Sequence, residues 1–259
     1  MLMEIPGGAG LAPCVPRDYY RSIADAEKTH WWHGGMLAIS RALLGPRLTS
    51  GGTALDAGCG TGGFLRFLAD NGRFTALSGV DIAAAAIELA RERVPEADLR
   101  VVPLRELPFG DRAFDLVVTN DVLQHVPETD VGASLRELRR VLVSGGTLLV
   151  RTNGSRRLRS ERDDWRAYDA KTLRRELGDA GFAVERVSYA NAVFSLLAAM
   201  RGRVPHAPTE EQHGVPTNRP GRLASTVGTA ALRAEAWWLG RGHSLPYGAT
   251  LFAVSRTRT

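Results

Sequence analysis

The densest chemical information in this sequence lies in nine residues, Leu55-Asp56-Ala57-Gly58-Cys59-Gly60-Thr61-Gly62-Gly63. The run follows a β-rich stretch and leads straight into a helical pattern. Glycines at such a junction let the backbone turn sharply and let a ligand lie against bare peptide groups above the helix N-terminus. Gly58, Gly60 and Gly63 satisfy the G-x-G-x-x-G spacing of dinucleotide-binding folds, while Asp56 with Gly58, Gly60 and Gly62 satisfies D-x-G-x-G-x-G. Both patterns expect an acidic residue closing the next strand, where a carboxylate accepts the hydrogens of both ribose hydroxyls; Asp81 stands there. Asp56 separates the two. An anion beside the first glycine repels a pyrophosphate but attracts a ligand carrying a sulfonium and an ammonium. The structural use of such a carboxylate is to cap the turn's own amides. His125 lies just past a later β-rich run, at the sheet edge where ligands bind in open α/β folds, and is the candidate general base for a hydroxyl acceptor. Its structural alternative is to cap the following loop.

Residues 52–152 must position these groups. Short β-rich runs at 53–57, 76–81, 99–103, 114–119 and 147–152 alternate with helical patterns, as in a parallel sheet with crossover helices. Phe64, Leu65, Phe67 and Leu68 give a helical face stopped at Asn71-Gly72. An Ala-rich helix covers 83–94 before Pro95, and Leu135, Leu138, Val141 and Leu142 stripe a third, ended by Ser144-Gly145-Gly146. A helix at 170–180, a strand at 182–189, a helix at 223–239 and a last strand at 250–254 follow. A leader, helical over 20–44, precedes them. Two stretches break the rhythm: 153–169 is charged, and 201–222 is rich in Pro, Gly and His.

Four blocks in this order resemble the core of a class I S-adenosylmethionine-dependent methyltransferase of the broad small-molecule, type 11-like group. They are Leu55-Asp56-Ala57-Gly58-Cys59-Gly60-Thr61-Gly62, Gly79-Val80-Asp81-Ile82, the stretch from Phe114 through Asn120 to Val126, and Leu138-Arg139-Arg140-Val141-Leu142-Val143-Ser144-Gly145-Gly146. The resemblance implies an α/β, Rossmann-like fold with a seven-stranded, mostly parallel sheet whose last strand is antiparallel. It divides the chain into a leader or lid at 1–51, a cofactor-binding core at 52–190, an insertion at 191–248 and the last strand at 249–259. It implies S-adenosylmethionine as cofactor, with S-adenosylhomocysteine as product. By the same resemblance Asp56, Gly58, Cys59 and Gly60 hold the methionine part, Asp81 the ribose and Ile82 one face of the adenine. Asn120 faces the sulfonium region. The position after the third strand is often acidic in this family; Val102-Pro103-Leu104 stands here instead, leaving the adenine amino group to backbone groups around Leu104.

The leader segment Glu27-Lys28-Thr29-His30-Trp31-Trp32-His33 resembles a His-Trp-Trp-Phe lid found in some of these enzymes. His33-Gly34-Gly35-Met36 departs from the aromatic and arginine residues usual after the paired tryptophans, so contact to a cofactor carboxylate must come from elsewhere. An amphipathic helix packed by its tryptophans is the structural reading of the same residues. About sixty residues separate Tyr189 from Thr250, an insertion placed to cover an acceptor pocket or to form a dimer face. Tyr20, Trp31, Trp32, Phe194 and Trp238 are the candidate acceptor-binding residues, with Trp237 and Tyr247 as further apolar walls. The ending Leu245-Pro246-Tyr247-Gly248-Ala249-Thr250-Leu251 resembles a tail of methyltransferases from sugar, lipid or secondary-metabolite pathways. The implied function is methyl transfer to oxygen or nitrogen, less so carbon, of a small biosynthetic intermediate. Two alternatives stand beside it: the same fold catalysing cyclisation or rearrangement without net methyl transfer, and a nicotinamide-dependent oxidoreductase.

Composition narrows the partners. The 259 residues are 44% hydrophobic and 24% charged, enough apolar material for a sizeable core. The net charge of +5 invites a nucleic-acid reading, yet Lys28 and Lys171 are the only lysines, so the arginine excess fits coding bias as well as a phosphate-binding surface. A base methyltransferase carries Asp or Asn before Pro-Pro and an aromatic after the fourth strand; Thr119-Asn120-Asp121-Val122 lacks this. The expected partner is a small-molecule acceptor, with no nucleic acid and no metal, for a monomer or homodimer. Cys14 and Cys59 build no disulfide framework, no secretion signal opens the chain, and the apolar stretch 190–200 is far short of a bilayer span, so a soluble cytoplasmic protein is expected. Arg151, Arg156, Arg157, Arg159, Arg162 and Arg166 outnumber Glu161, Asp163 and Asp164 after the fifth strand, which reads as a solvated loop or as a rim attracting an anionic acceptor.

Overall fold

The computed structural model describes residues 2–4, 11–13, 17–154, 166, 168–200 and 221–258. A short antiparallel pair, β1 (Leu2–Glu4) and β2 (Leu11–Pro13), precedes two leader helices, α1 (Arg17–Thr29) and α2 (Trp31–Leu44). The core then alternates β3 (Thr53–Ala57), α3 (Gly63–Asn71), β4 (Ala76–Asp81), α4 (Ala84–Arg93), β5 (Asp98–Val101), β6 (Phe114–Asn120), α5 (Glu128–Val141) and β7 (Leu142–Asn153). It closes with α6 (Ala170–Asp179), β8 (Phe182–Ala190), α7 (Ala192–Met200), α8 (Arg222–Gly240) and β9 (Thr250–Thr257). Seven strands form one sheet in the order β5-β4-β3-β6-β7-β9-β8. β9 runs antiparallel between β7 and β8, and the other six share one direction. This is the expected Rossmann-like arrangement.

Alternation along each strand sorts side chains into two cores. Ala54, Leu116, Val118, Leu149, Phe252 and Val254 face α2, α3, α4 and α8, while Leu55, Val117, Leu148 and Val150 face α5 and α6. The insertion helix α8 lies parallel to the leader helix α2. Trp31 packs against Gly228, Leu232 covers Gly35, and Gly240 meets Ala42. A side chain at Gly35 or Gly228 would collide with these neighbours, so glycine sets how closely the two helices approach.

Several boundaries differ from expectation for local reasons. The leader is two helices, because His30 adopts an extended backbone and its Nδ1 accepts the Trp32 N–H at 3.1 Å, capping α2. α5 ends at Val141 rather than at the glycines. Leu142 is buried and pairs with Phe114, and Ser144-Gly145-Gly146 bulges from the ladder before Thr147 pairs with Leu116. β5 stops at Val101, two residues before Pro103, which has no N–H to donate. β9 runs on to Thr257 because it is paired on both sides. Of the charged residues after β7, Arg156, Arg157, Arg159, Glu161, Arg162, Asp163 and Asp164 lie outside the described residues, as do Cys14 and most of 201–222. Among the described residues no helix is long and apolar enough to cross a membrane.

Candidate functional site

The chain reverses its direction of travel across the sheet at β3, which has β4 on one side and β6 on the other. Such a switch point leaves a crevice at the C-terminal ends of the strands. Asp56 is in register with Gly79 and Val118, and Asn120 with Arg151. With the two-residue period of a strand, Asp56, Asp81, Asn120 and Arg151 therefore share one face, the face covered by the leader.

Beyond β3 the backbone turns through Gly58 and Gly60 at φ +88° and +52°, conformations that favour glycine. A side chain at Gly58 would strike Val122, whereas nothing lies within 4 Å of where one would stand at Gly60. The amides of Gly58 and Cys59 both donate to the Val80 carbonyl, at 2.8 and 2.9 Å. Asp81 accepts the Gly60 N–H and the Ala83 N–H, each at 2.9 Å, so one carboxylate fixes the glycine turn and the start of α4. Burial pushes its pKa upward, opposed by these N–H groups.

Asp56 is 1% exposed, and its Oδ1 has no hydrogen-bond partner. The nearby turn amides are engaged elsewhere, so this oxygen is not capping them. Burial pushes the Asp56 pKa up to about 8; Arg151 opposes the shift, while Asp81 and Glu27 add to it. Both polar atoms of the Asn120 amide are likewise buried without a partner. Buried polar groups are nearly always satisfied, and unsatisfied ones gathered at a crevice mark a place built for something polar.

The leader closes over this turn. Glu27 accepts from Thr61 Oγ1 at 2.8 Å and pairs with Arg93, and its carboxyl lies 2.5 Å from where a Gly63 side chain would begin. It thereby places negative charge at the N-terminus of α3, where the helix dipole favours it. Arg151 sits under Trp32, 5.3 Å from the ring centroid, and donates through Nε and Nη2 to Asp121 Oδ2 at 3.0 and 2.7 Å. Asp121 has φ +58° and returns its own N–H to the Arg151 carbonyl at 2.8 Å. The Gln124 side chain ties the turn after β6 to β7 through Thr152 and Asn153.

The other expected site residues fall at varied places. Ile82 is 45% exposed directly after Asp81, an apolar surface at the crevice. Leu104 is buried in the core beneath. The Cys59 side chain turns into the opposite core and its thiol pKa is pushed well up by burial, so what this residue offers a ligand is backbone. His125 is exposed in the single turn Leu123–His125, whose other two residues are buried. Trp31 meets Phe194 with ring centroids 4.7 Å apart, which brings leader and insertion together at the crevice. Tyr20 packs edge-on to Tyr19 along α1. Tyr247 is half-buried at the same sheet edge, where Gly248 packs against the Ala190 backbone and Gly154 donates to the Ala249 carbonyl at 2.8 Å. Trp238 is not brought to Trp31. It stacks on His243, ten residues along α8 from Gly228, about 15 Å at helical rise, and Trp237 is 57% exposed under Arg241.

Glu27, Asp121 and Glu235 are not marked as site residues by the sequence, and Arg151 is marked only within the arginine excess after the fifth strand. Glu235 of α8 accepts from the Asn191 and Ala192 amides at 2.6 and 2.8 Å and caps the start of α7 beside Phe194. Among the described residues no cluster of His, Cys, Asp or Glu is arranged to hold a metal.

Comparison with known proteins agrees with this geometry. Residues 55–150 match a family described as "Methyltransferase domain". The chain is 33% identical over 166 residues to a "Probable S-adenosylmethionine-dependent methyltransferase" of Mycolicibacterium smegmatis, covering 62% of each. It is 33% identical over 135 residues to the malonyl-[acyl-carrier protein] O-methyltransferase of Serratia marcescens, covering 51% of each. The chain thus spans between half and two-thirds of the length of these relatives. Among solved structures, a Haloferax volcanii methyltransferase complex with the Trm112 activator superposes with a TM-score of 0.63 at 21% identity, over 93% of this chain and 95% of that one.

Proposed function

We propose that this chain, whose residues 55–150 match a methyltransferase domain, transfers a methyl group from S-adenosylmethionine to an oxygen or nitrogen of a small-molecule acceptor. The observation that carries the reading is the set of unpartnered buried atoms, Asp56 Oδ1 and both ends of the Asn120 amide, on the sheet face shared with Asp81. The residues present fit the cofactor, since the open backbone at Gly60, the exposed Ile82 and the acid closing β4 match a nucleoside bearing an ammonium.

Bound S-adenosylmethionine supplies an electrophilic methyl on a sulfonium; the protein's task is alignment and exclusion of water. Asp56 attracts the ammonium, and Gly58 and Gly60 let the methionine part approach the backbone. Asp81 keeps lone pairs for the ribose hydroxyls while holding the turn. Ile82 covers one adenine face, and backbone near Leu104 meets its amino edge. Asn120 orients the reacting end. Arg151 supplies the cation for the methionine carboxylate, the role left open by Gly34, Gly35 and Met36. Two of those leader positions are occupied with packing, since Gly35 is covered by Leu232 and Met36 is fully buried. Tyr20, Trp31, Trp32 and Phe194 wall the acceptor, and His125 is the base for a hydroxyl acceptor.

The test is incubation of candidate intermediates with methyl-labelled cofactor, followed by mass spectrometry. The reading predicts a product heavier by one labelled methylene unit. Consumption of an acceptor with no change in mass would overturn it in favour of cyclisation or rearrangement.

A further inference from the structure

A second feature of the molecule lies away from the cofactor edge. A cavity of about 380 Å³ opens beside the edge strand β8, toward the N-terminal ends of the parallel strands. It is lined by Arg47 just after α2, Arg174 of α6, Glu185, Arg186 and Val187 of β8, and Ser244 in the loop after α8. Adjacent strand residues normally point to opposite faces, yet Glu185 and Arg186 both line this space. The cause is a β-bulge: Val184 pairs with Ser255 and Arg186 with Val254, leaving Glu185 as the extra residue. Bulges re-aim side chains in this way and are common beside binding sites.

The charge is strongly unbalanced. Glu185 is shared by Arg47 and Arg256, each at 2.7 Å, and the lining itself sets three guanidiniums, Arg47, Arg174 and Arg186, against this one carboxylate. Arg186 donates to the His243 carbonyl and Arg174 to the Val184 carbonyl, neutral partners that leave their charges uncompensated. The Nε atoms of Arg47 and Arg186 are buried with no hydrogen-bond partner. Planar guanidinium groups lining one space suit a tetrahedral oxyanion, which accepts several charge-assisted bonds at once.

We propose that this cavity binds a phosphate-bearing small molecule, at a site separate from the methyl-transfer crevice. The lining's excess of two positive charges matches a dianionic group better than a single carboxylate, and the volume is that of a small-ligand site. Along β8, Arg186 lies four residues, about 13 Å, from Ala190 at the cofactor edge, so the two sites do not overlap.

Calorimetric titration of the full chain with pyrophosphate and with inorganic phosphate, at fixed ionic strength and with or without S-adenosylhomocysteine, tests this. One saturable site is expected, unaffected by S-adenosylhomocysteine and weakened at least tenfold by Arg186→Gln. Arg174→Gln, at an exposed position, is expected to do the same without disturbing the fold. Absence of saturable binding, binding unchanged in the Arg174→Gln protein, or competition with S-adenosylhomocysteine would overturn the proposal.

Discussion

Asp56 works under two opposed demands. Its place at the end of a buried strand raises the pKa to about 8 through burial, while the ligand assigned to it is a cation that favours the charged form. In the free protein at pH 7 the carboxyl holds its proton, and ammonium binding expels it. Affinity for S-adenosylhomocysteine is therefore expected to rise with pH, by up to about tenfold per unit below pH 8, and then level off. Calorimetry across pH 6 to 9 checks this, and Asp56→Asn should bind weakly with no such dependence. Arg151→Gln is expected to weaken S-adenosylhomocysteine at least tenfold while sparing 5′-methylthioadenosine, which lacks the amino-acid part; equal losses for both ligands would remove Arg151 from the carboxylate. At this scale the sequence shows Asp56 and Asp81 plainly, because both lie within or next to the glycine turn. Glu27 is hidden because its partners Thr61 and Arg93 are remote in the chain. Arg151 carried a readable signal, a charge closing the apolar run Leu148-Leu149-Val150 level with Asn120.

Leader and insertion act on the site as a pair of joined elements. Glu27 ties α1 to the glycine turn, and Glu235 of α8 caps α7, whose Phe194 meets Trp31 of α2. Glu27→Ala is expected to speed hydrogen exchange across α1 and to lower S-adenosylhomocysteine affinity several-fold; unchanged exchange would show that the ion pair does not hold the leader. Glu235→Ala leaves buried amides without an acceptor, at a cost of about 1–3 kcal/mol, to be measured by denaturant unfolding against Glu235→Gln, which keeps one acceptor oxygen. Periodicity finds nearly all of these helices and strands. It misses the break at His30, which depends on one ring nitrogen capping α2. It misplaces the end of α5, because glycines that look like a helix stop are a bulge within β7. It cannot show that α8 docks on α2, since Gly35 and Gly228 declare their purpose only once the helices lie side by side.

Over the whole molecule the buried acids set how stability depends on pH. Burial raises the pKa of Asp56, Asp81 and Glu235 above the ordinary carboxylate range. The unfolded chain releases these protons near pH 4 while the native protein retains them, so stability without ligand falls as pH rises. For Asp56 the window runs from about pH 4 to about pH 8, with a slope of about 1.4 kcal/mol per unit. Asp56→Asn is expected to lose this slope and to be more stable than wild type at pH 8, as denaturant midpoints at pH 5 and pH 8 will show. Charge is also placed unevenly: Arg47, Arg174 and Arg186 line the cavity beside β8 with Glu185, while at the cofactor edge Arg93 and Arg151 are paired with Glu27 and Asp121. The most direct test of the account is calorimetric titration of the wild-type chain with S-adenosylhomocysteine and with NAD. The expected result is one saturable S-adenosylhomocysteine site, weakened at least tenfold in both Asp56→Asn and Asp81→Asn, with no NAD binding. Saturable NAD binding, or S-adenosylhomocysteine binding indifferent to both substitutions, would contradict it.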